Sequence, residues 1–287
     1  MTLDGYLKKA VEEKWAVPHL NIATFEQLKA MVEAAKRLRS PLHIGTSTGE
    51  SGHMGLRQSV ALAHSFYEES GVPIFLNADH FHSVEEAKTA IDAGYDSIGI
   101  DLSAKSYEEN IEGTKEIVRY AKAKNPHISV EGELGYLRGS STIQHEVIDI
   151  RPEDMTDPTQ AQEFVKETGV HRFAPAIGNI HGIAANKPNL DFSRIEAIRA
   201  LIPDDVALVL HGGSGISDAD VKKAIQSGMN NVHINTEIRV AYTQALRAFL
   251  QENPNETTPY KIFPSVLEAI EKKVEEKIKL FGSENKI

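Results

Sequence analysis

Three histidines, His80, His181 and His211, each stand at or just past the end of an apolar run, and each is followed by a turn. Neutral imidazoles of this kind suit zinc held by three ligands with one position open. The chain has 12 histidines and no cysteine, so a thiolate site and a disulfide are both excluded. Any metal falls to His, Asp, Glu or Asn. Asp79 directly precedes His80. Neighbouring residues at a strand end point different ways, so this pair can set a proton-transfer carboxylate beside a metal ligand. Ser83 fits the N-cap of the next helix, which leaves Asp79 free of that duty. Asp101 and Glu133 also end apolar runs. They could hold a second, more loosely bound divalent ion or orient the histidines, and both readings stay open. Any one of these groups alone is more often a capped or solvated surface residue. Their shared register argues for the set.

The stretch Leu208-Val209-Leu210-His211-Gly212-Gly213-Ser214-Gly215 adds a second chemistry. A buried strand stops at a histidine, and glycines then let backbone N–H groups turn towards one point, an anion-binding nest. The helix opening at Ser217-Asp218 brings its positive end to the same place. A metal ligand and a phosphate cradle therefore lie a few residues apart.

The elements that must position these groups alternate along the whole chain. Short apolar runs at 16–20, 41–45, 72–76, 97–100, 127–130, 172–177, 206–210 and 231–234 read as strands. Helical periodicity follows each of them, at 28–38, 56–69, 84–93, 107–124, 159–168, 192–201, 220–227 and 238–251. Eight such units without a break in composition predict one closed (β/α)8 barrel over 1–287, ahead of an open doubly wound sheet. The open sheet would need a Gly-rich first turn, and Ile22-Ala23-Thr24 has no glycine. In a barrel the strand ends converge on one mouth. Asn21, Ser47, Asp79, His80, Asp101, Glu133, His181, His211 and Asn235 all fall there. Residues 136–158 are polar, lack a clear period and read as a functional or mobile loop. A last amphipathic helix is expected at about 264–280, with Pro264 in its first turn. It is expected to pack on its own barrel or at a dimer interface.

Composition narrows the partners. The 41% hydrophobic fraction supports a large core, and the net charge of -10 argues against non-specific nucleic-acid binding. A phosphate responds to a local nest rather than to the overall charge. No apolar run approaches the ~20 residues of a membrane span, and the acidic N-terminal stretch is unlike a signal peptide. The cytoplasm is the expected compartment.

Several motifs, in order, carry a family resemblance: Asp79-His80, Ile100-Asp101-Leu102-Ser103, Glu131-Gly132-Glu133-Leu134-Gly135, Ala176-Ile177-Gly178-Asn179-Ile180-His181-Gly182, Leu190-Asp191-Phe192, the His211 stretch and Asn235-Thr236-Glu237. Across nearly its whole length the chain resembles the class II, metal-dependent ketose-bisphosphate aldolases. Its compact length looks more like the tagatose-type branch than the fructose-type branch.

The resemblance implies zinc on His80, His181 and His211, Asp79 as acid/base at the C4 hydroxyl, and a secondary metal site at Asp101 and Glu133. It puts Gly182, Gly212, Gly213, Ser214 and Thr236 around a ketose phosphate, with Asn21 and Ser47 nearby. His233 and Asn235 are expected to face the substrate. It also implies a monovalent cation, Na⁺ or K⁺, on the backbone near Gly178 to Gly182 and Gly212 to Ser214. A homodimer, or a homotetramer built from dimers, is expected. The expected reaction is reversible cleavage of a ketose 1,6-bisphosphate to dihydroxyacetone phosphate and an aldehyde phosphate. A metal-dependent sugar-phosphate isomerase or epimerase and a non-catalytic sugar-phosphate binder are the alternatives.

Four positions depart from the family pattern. Arg138-Gly139-Ser140-Ser141-Thr142 stands where the family has paired glycines followed by acids, so Glu146 is the nearest downstream candidate for the proton shuttle. Ala184-Ala185-Asn186 replaces a tyrosine and lysine, with Lys187 displaced. His233 replaces an asparagine, and Asn77 replaces a histidine.

Overall fold

A computed structural model describes residues 1–287. Its strands are β1 Val17–Asn21, β2 Leu42–Ser47, β3 Ile74–Phe81, β4 Ser97–Ile100, β5 Ser129–Leu134, β6 Gly139–Ile143, β7 Arg172–Pro175, β8 His181–Ile183, β9 Ala207–Leu210 and β10 Met229–Ile234. Eight of them close a parallel barrel in the order β1-β10-β9-β7-β5-β4-β3-β2, while β6 and β8 form a separate two-stranded parallel pair. The expected closed (β/α)8 architecture is the observed one.

The barrel sorts its residues by strand parity. Outward-facing Leu20, Leu42, Ile44, Leu76, Ile98 and Leu208 are among 54 buried residues that pack the sheet against the helices. The interior is polar instead, with His19, His43, Asn77, Glu131, Arg172, Asn231 and His233 all buried and mutually hydrogen-bonded or stacked. The N-terminal end of the barrel is plugged by Leu3, Tyr6, Leu7 and Ala10 of the helix Leu3–Glu13, packed with Trp15, Val17 and Ala207.

Three boundaries differ from the sequence expectation. Thr48–Met54 is helical rather than a glycine-rich loop, because Ser47 and Glu50 form a reciprocal capping box across its first turn. The segment 136–158 contains β6 and is stitched down. Arg138 pairs with Asp154, Gln144 donates to the His181 carbonyl at 2.7 Å, and Arg239 donates to the Ser141 carbonyl at 2.7 Å. The last helix begins at Pro259, not Pro264, and runs to Phe281. Pro259 takes the first-turn position expected of Pro264, which lies inside the helix. That helix buries Val266, Ile270, Val274 and Ile278 and packs beside the helices Phe25–Leu38 and Thr236–Glu252. No helix is long and apolar enough to cross a membrane.

Candidate active site

The C-terminal ends of the barrel strands enclose a cavity lined by Asn21, Asp79, His80, Ser141, His181, Gly182, His211, Gly212, Ser214, His233, Asn235 and Thr236. None of these side chains is a large hydrophobe. A larger, more apolar hollow lies elsewhere, against the helix Leu56–Ser70, and holds none of this chemistry.

His80 near the end of β3, His211 just past β9 and His181, which opens β8 rather than ending the sixth barrel strand as expected, come together, each able to offer a ring nitrogen within 4.8 Å of the others. His80 Nε2 and His181 Nε2 are 3.2 Å apart, too close for two ring nitrogens that each need a partner unless a proton or a cation lies between them. This donor set, without thiolates and next to a polar cavity, fits a zinc-type ion. The backbone works to bring it about: His80 adopts a left-handed φ of 51°. Strain of this kind in a non-glycine residue concentrates at functional sites.

Behind the histidines stand carboxylates. His80 Nδ1 lies 3.3 Å from Asp101 Oδ2 and 3.5 Å from Glu133 Oε2. Asp101 is steadied in turn by Ser103, whose hydroxyl donates to it at 2.6 Å. Burial pulls the His80 imidazole down, but Asp79, with Asp101 and Glu133, outweighs burial and lifts it to about 10. His181 is pushed down to about 3 by burial and by the neighbouring His80 charge. Burial, reinforced by Asp101, raises Glu133 well above the ordinary carboxylate range. Asp101 goes the other way, because its bonds to His80 and Ser103 overcome burial.

Asp79 faces the same cavity. Its Oδ2 accepts from Asn21 Nδ2 at 2.9 Å, while Oδ1 lies 3.4 Å from His233 Nδ1 and 4.0 Å from His19 Nε2. Burial works against the charged form of this carboxyl. His80, His19 and His233 together hold it well below its ordinary value, so it is an anion at neutral pH. His233 is itself pushed down to about 4 by burial and His211, so it stays neutral.

The nest after β9 has the backbone its glycines require. Gly212 sits at φ 64°, and a Cβ there would come within 1.9 Å of the Ile180 carbonyl oxygen. Gly182 sits at φ 82°, its Cβ position 2.1 Å from the Ser140 carbonyl oxygen. Beyond it the Ser214 hydroxyl accepts from the Glu237 N–H at 3.3 Å, and Glu237 Oε1 accepts from the Gly215 N–H at 3.1 Å. This ties the nest to the helix that Thr236 opens.

Not every expected residue lines the cavity. Ser47 caps its helix instead, and Gly213 lies behind, its N–H on the His233 carbonyl at 3.0 Å. Glu146 is exposed on the stitched loop, and its carbonyl accepts from Ala185. Glu50 was not anticipated. Its carboxylate bridges Asn21 at 2.9 Å and Asn235 at 3.0 Å, fixing two cavity amides. The Ser47-x-x-Glu50 spacing was its signal. Asn186, at one of the departing positions, clamps both backbone groups of Ile148, with bonds of 2.9 and 3.1 Å.

Comparison with known proteins agrees with this geometry. The family model described as "Fructose-bisphosphate aldolase class-II" matches residues 1–286. A fructose-bisphosphate aldolase of Geobacillus stearothermophilus is 37% identical over 291 residues, covering 100% of this chain and 98% of the relative. Among solved structures, the YdjI aldolase of Escherichia coli K12 superposes with a TM-score of 0.84 at 34% identity, over 99% of this chain and 98% of that one. A protein of Coccidioides immitis described as a putative fructose-1,6-biphosphate aldolase gives 0.86 at 29% identity, over 99% and 97%. With a matching family model over nearly its whole length, a full-length relative and a barrel mouth of the corresponding chemistry, the chain belongs to the class II fructose-bisphosphate aldolase family and is an aldolase.

Proposed function

We propose that the enzyme is zinc-dependent and reversibly cleaves a ketose 1,6-bisphosphate, of the fructose or tagatose type, into dihydroxyacetone phosphate and an aldehyde phosphate. One observation carries this reading. An ionised, buried Asp79 shares a small polar cavity with three convergent imidazoles and a glycine nest. The names of the relatives support a bisphosphate substrate.

His80, His181 and His211 would hold the zinc, which supplies a Lewis acid for the electron pair left on the dihydroxyacetone phosphate half. Asp79 takes the C4 hydroxyl proton as the C3–C4 bond breaks. Asn21, held by Glu50, keeps Asp79 aimed at the cavity. Gly182, Gly212, Ser214 and Thr236 cradle the phosphate and fix the sugar's orientation, with Gly213 holding the nest against β10. The backbone between Gly178 and Gly182 and between Gly212 and Ser214 would serve a monovalent cation beside that phosphate. Asp101 and Glu133 stand against His80 Nδ1 and orient it, and with His80 they also lie close enough together to hold a second divalent ion. Glu146 serves as the proton shuttle at the dihydroxyacetone carbon, reaching inwards from its loop. Cytoplasmic location and assembly as a homodimer or homotetramer belong to the same reading. The cytoplasmic reading draws on the absence of cysteine.

The test is product identification after incubating zinc-loaded protein with fructose and tagatose 1,6-bisphosphates. Triose phosphates support the proposal. A rearranged sugar would point to isomerisation or epimerisation, and no product to a binding protein.

A further inference from the structure

Arg172 takes no part in the metal centre or the phosphate cradle, yet it is completely buried in the barrel interior. The β5–β7 register sets it directly across from Glu131. All three of its nitrogens donate, one of them also to the Ile98 carbonyl at 3.4 Å. Nε donates to Ser129 Oγ at 3.2 Å, one terminal nitrogen donates to Glu131 Oε2, and the other donates to Asn77 Oδ1 at 3.1 Å. Glu131 passes the constraint on, because its second oxygen lies 2.6 Å from His211 Nε2. A ring nitrogen donating to a carboxylate leaves Nδ1 as the His211 atom available to a metal.

Asn77 carries a second branch. Its carbonyl accepts from Arg172 and from Ser97 Oγ at 2.9 Å, and its amide nitrogen lies 3.0 Å from His19 Nε2. His19 stacks on His233 with ring centroids 3.5 Å apart, and both imidazoles face Asp79 Oδ1. An asparagine can accept twice and still donate here. A histidine at 77 would offer at most one acceptor nitrogen. The asparagine that departs from the family pattern is thus the residue that fits Arg172.

We propose that Arg172 is a positioning residue: one guanidinium sets Glu131 against His211 and Asn77 against His19, aligning a metal ligand and the surroundings of Asp79 from a single point below the cavity. The inference rests on the reading of His80, His181 and His211 as the metal centre. Arg172 acts through its fork geometry, so a lysine, with equal charge on a single point, does not replace it.

The experiment measures Zn²⁺ affinity by chelator competition, the visible spectrum of Co²⁺-loaded protein, and kcat and KM. The proteins are wild type, Arg172→Lys, Glu131→Gln and the double variant Arg172→Met/Glu131→Gln. The double variant leaves no unpaired buried charge at this pair, and Arg172→Lys keeps the ion pair, so the test survives misfolding of any one variant. The expected result is a metal affinity weakened about 10- to 100-fold in each, an altered cobalt spectrum, and a loss in kcat larger than any rise in KM. Affinity within about threefold of wild type in Arg172→Lys, or in the double variant where Arg172→Lys does not fold, with an unchanged cobalt spectrum, would mean that Arg172 merely neutralises Glu131, and overturns the proposal. Failure of wild type to bind a stoichiometric ion overturns the metal reading and this inference with it.

Discussion

Asp79→Asn isolates the proton-transfer step. The amide keeps the shape of the side chain and an oxygen for the Asn21 N–H, which donates to Asp79 at 2.9 Å, so the cavity is not opened. What it removes is the basic oxygen beside His233. A positioned general base contributes ~100- to 10,000-fold, equivalent to about 2.7–5.5 kcal/mol of barrier. Steady-state cleavage of the ketose bisphosphate should fall by that factor while metal content is unchanged. Both readouts matter, because Asp79, His211 and His233 also stand close enough to hold an ion. A rate loss below about tenfold would mean that another group accepts the proton. Loss of metal from Asp79→Asn would move Asp79 from base to ligand, and either result refutes the assignment.

Other consequences are equally open to measurement. Metal-free His80 sits at about 10 and His181 at about 3, so at pH 7–9 the first is protonated and the second is not. Metal uptake must therefore expel at least one proton, and apparent affinity should fall about tenfold per unit of decreasing pH, as read by calorimetry in buffers of different ionisation enthalpy. A pH-independent affinity over that range contradicts the electrostatics. Gly212→Ala places a Cβ 1.9 Å from a carbonyl oxygen, whereas at Gly215 the nearest atom is a side-chain carbon at 3.4 Å. The first should raise KM for the phosphorylated sugar at least several-fold; the second should cost only the positive-φ strain, about 1–2 kcal/mol in a melting experiment. Equal effects would place the phosphate elsewhere. Finally, Glu146→Gln should slow exchange of the dihydroxyacetone-carbon hydrogen with deuterated solvent. Unchanged, fast exchange would exclude Glu146 as the shuttle.

The barrel was legible in the sequence because parallel strands buried on both faces read as apolar runs, and each ended at a polar residue. That same pattern exposed the histidines and acids of the mouth. The helix Leu3–Glu13 went unread although Leu3, Tyr6, Leu7 and Ala10 mark its buried face. The glycines of Thr48–Met54 masked a capping box. The pair β6 and β8 left almost no trace, since β6 is largely exposed and its partner lies some forty residues away within a metal-ligand motif. The interior network was the largest omission. His19, His43 and Arg172 lay within runs read as apolar, Asn77 and Glu131 just past the ends of two others, and only the closed barrel shows that they all face one another. Their cost of burial is offset by mutual bonding, which local sequence does not reveal.

The central claim is that carbon–carbon cleavage depends on one metal ion held by His80, His181 and His211. It is tested most directly by titrating zinc into metal-free enzyme while following triose phosphate release from the ketose bisphosphate. The account predicts negligible rate without metal, a linear rise to about one ion per chain and a plateau thereafter, with no rise in His211→Ala. Full turnover by the metal-free enzyme, or activation of His211→Ala matching that of wild type, would contradict it.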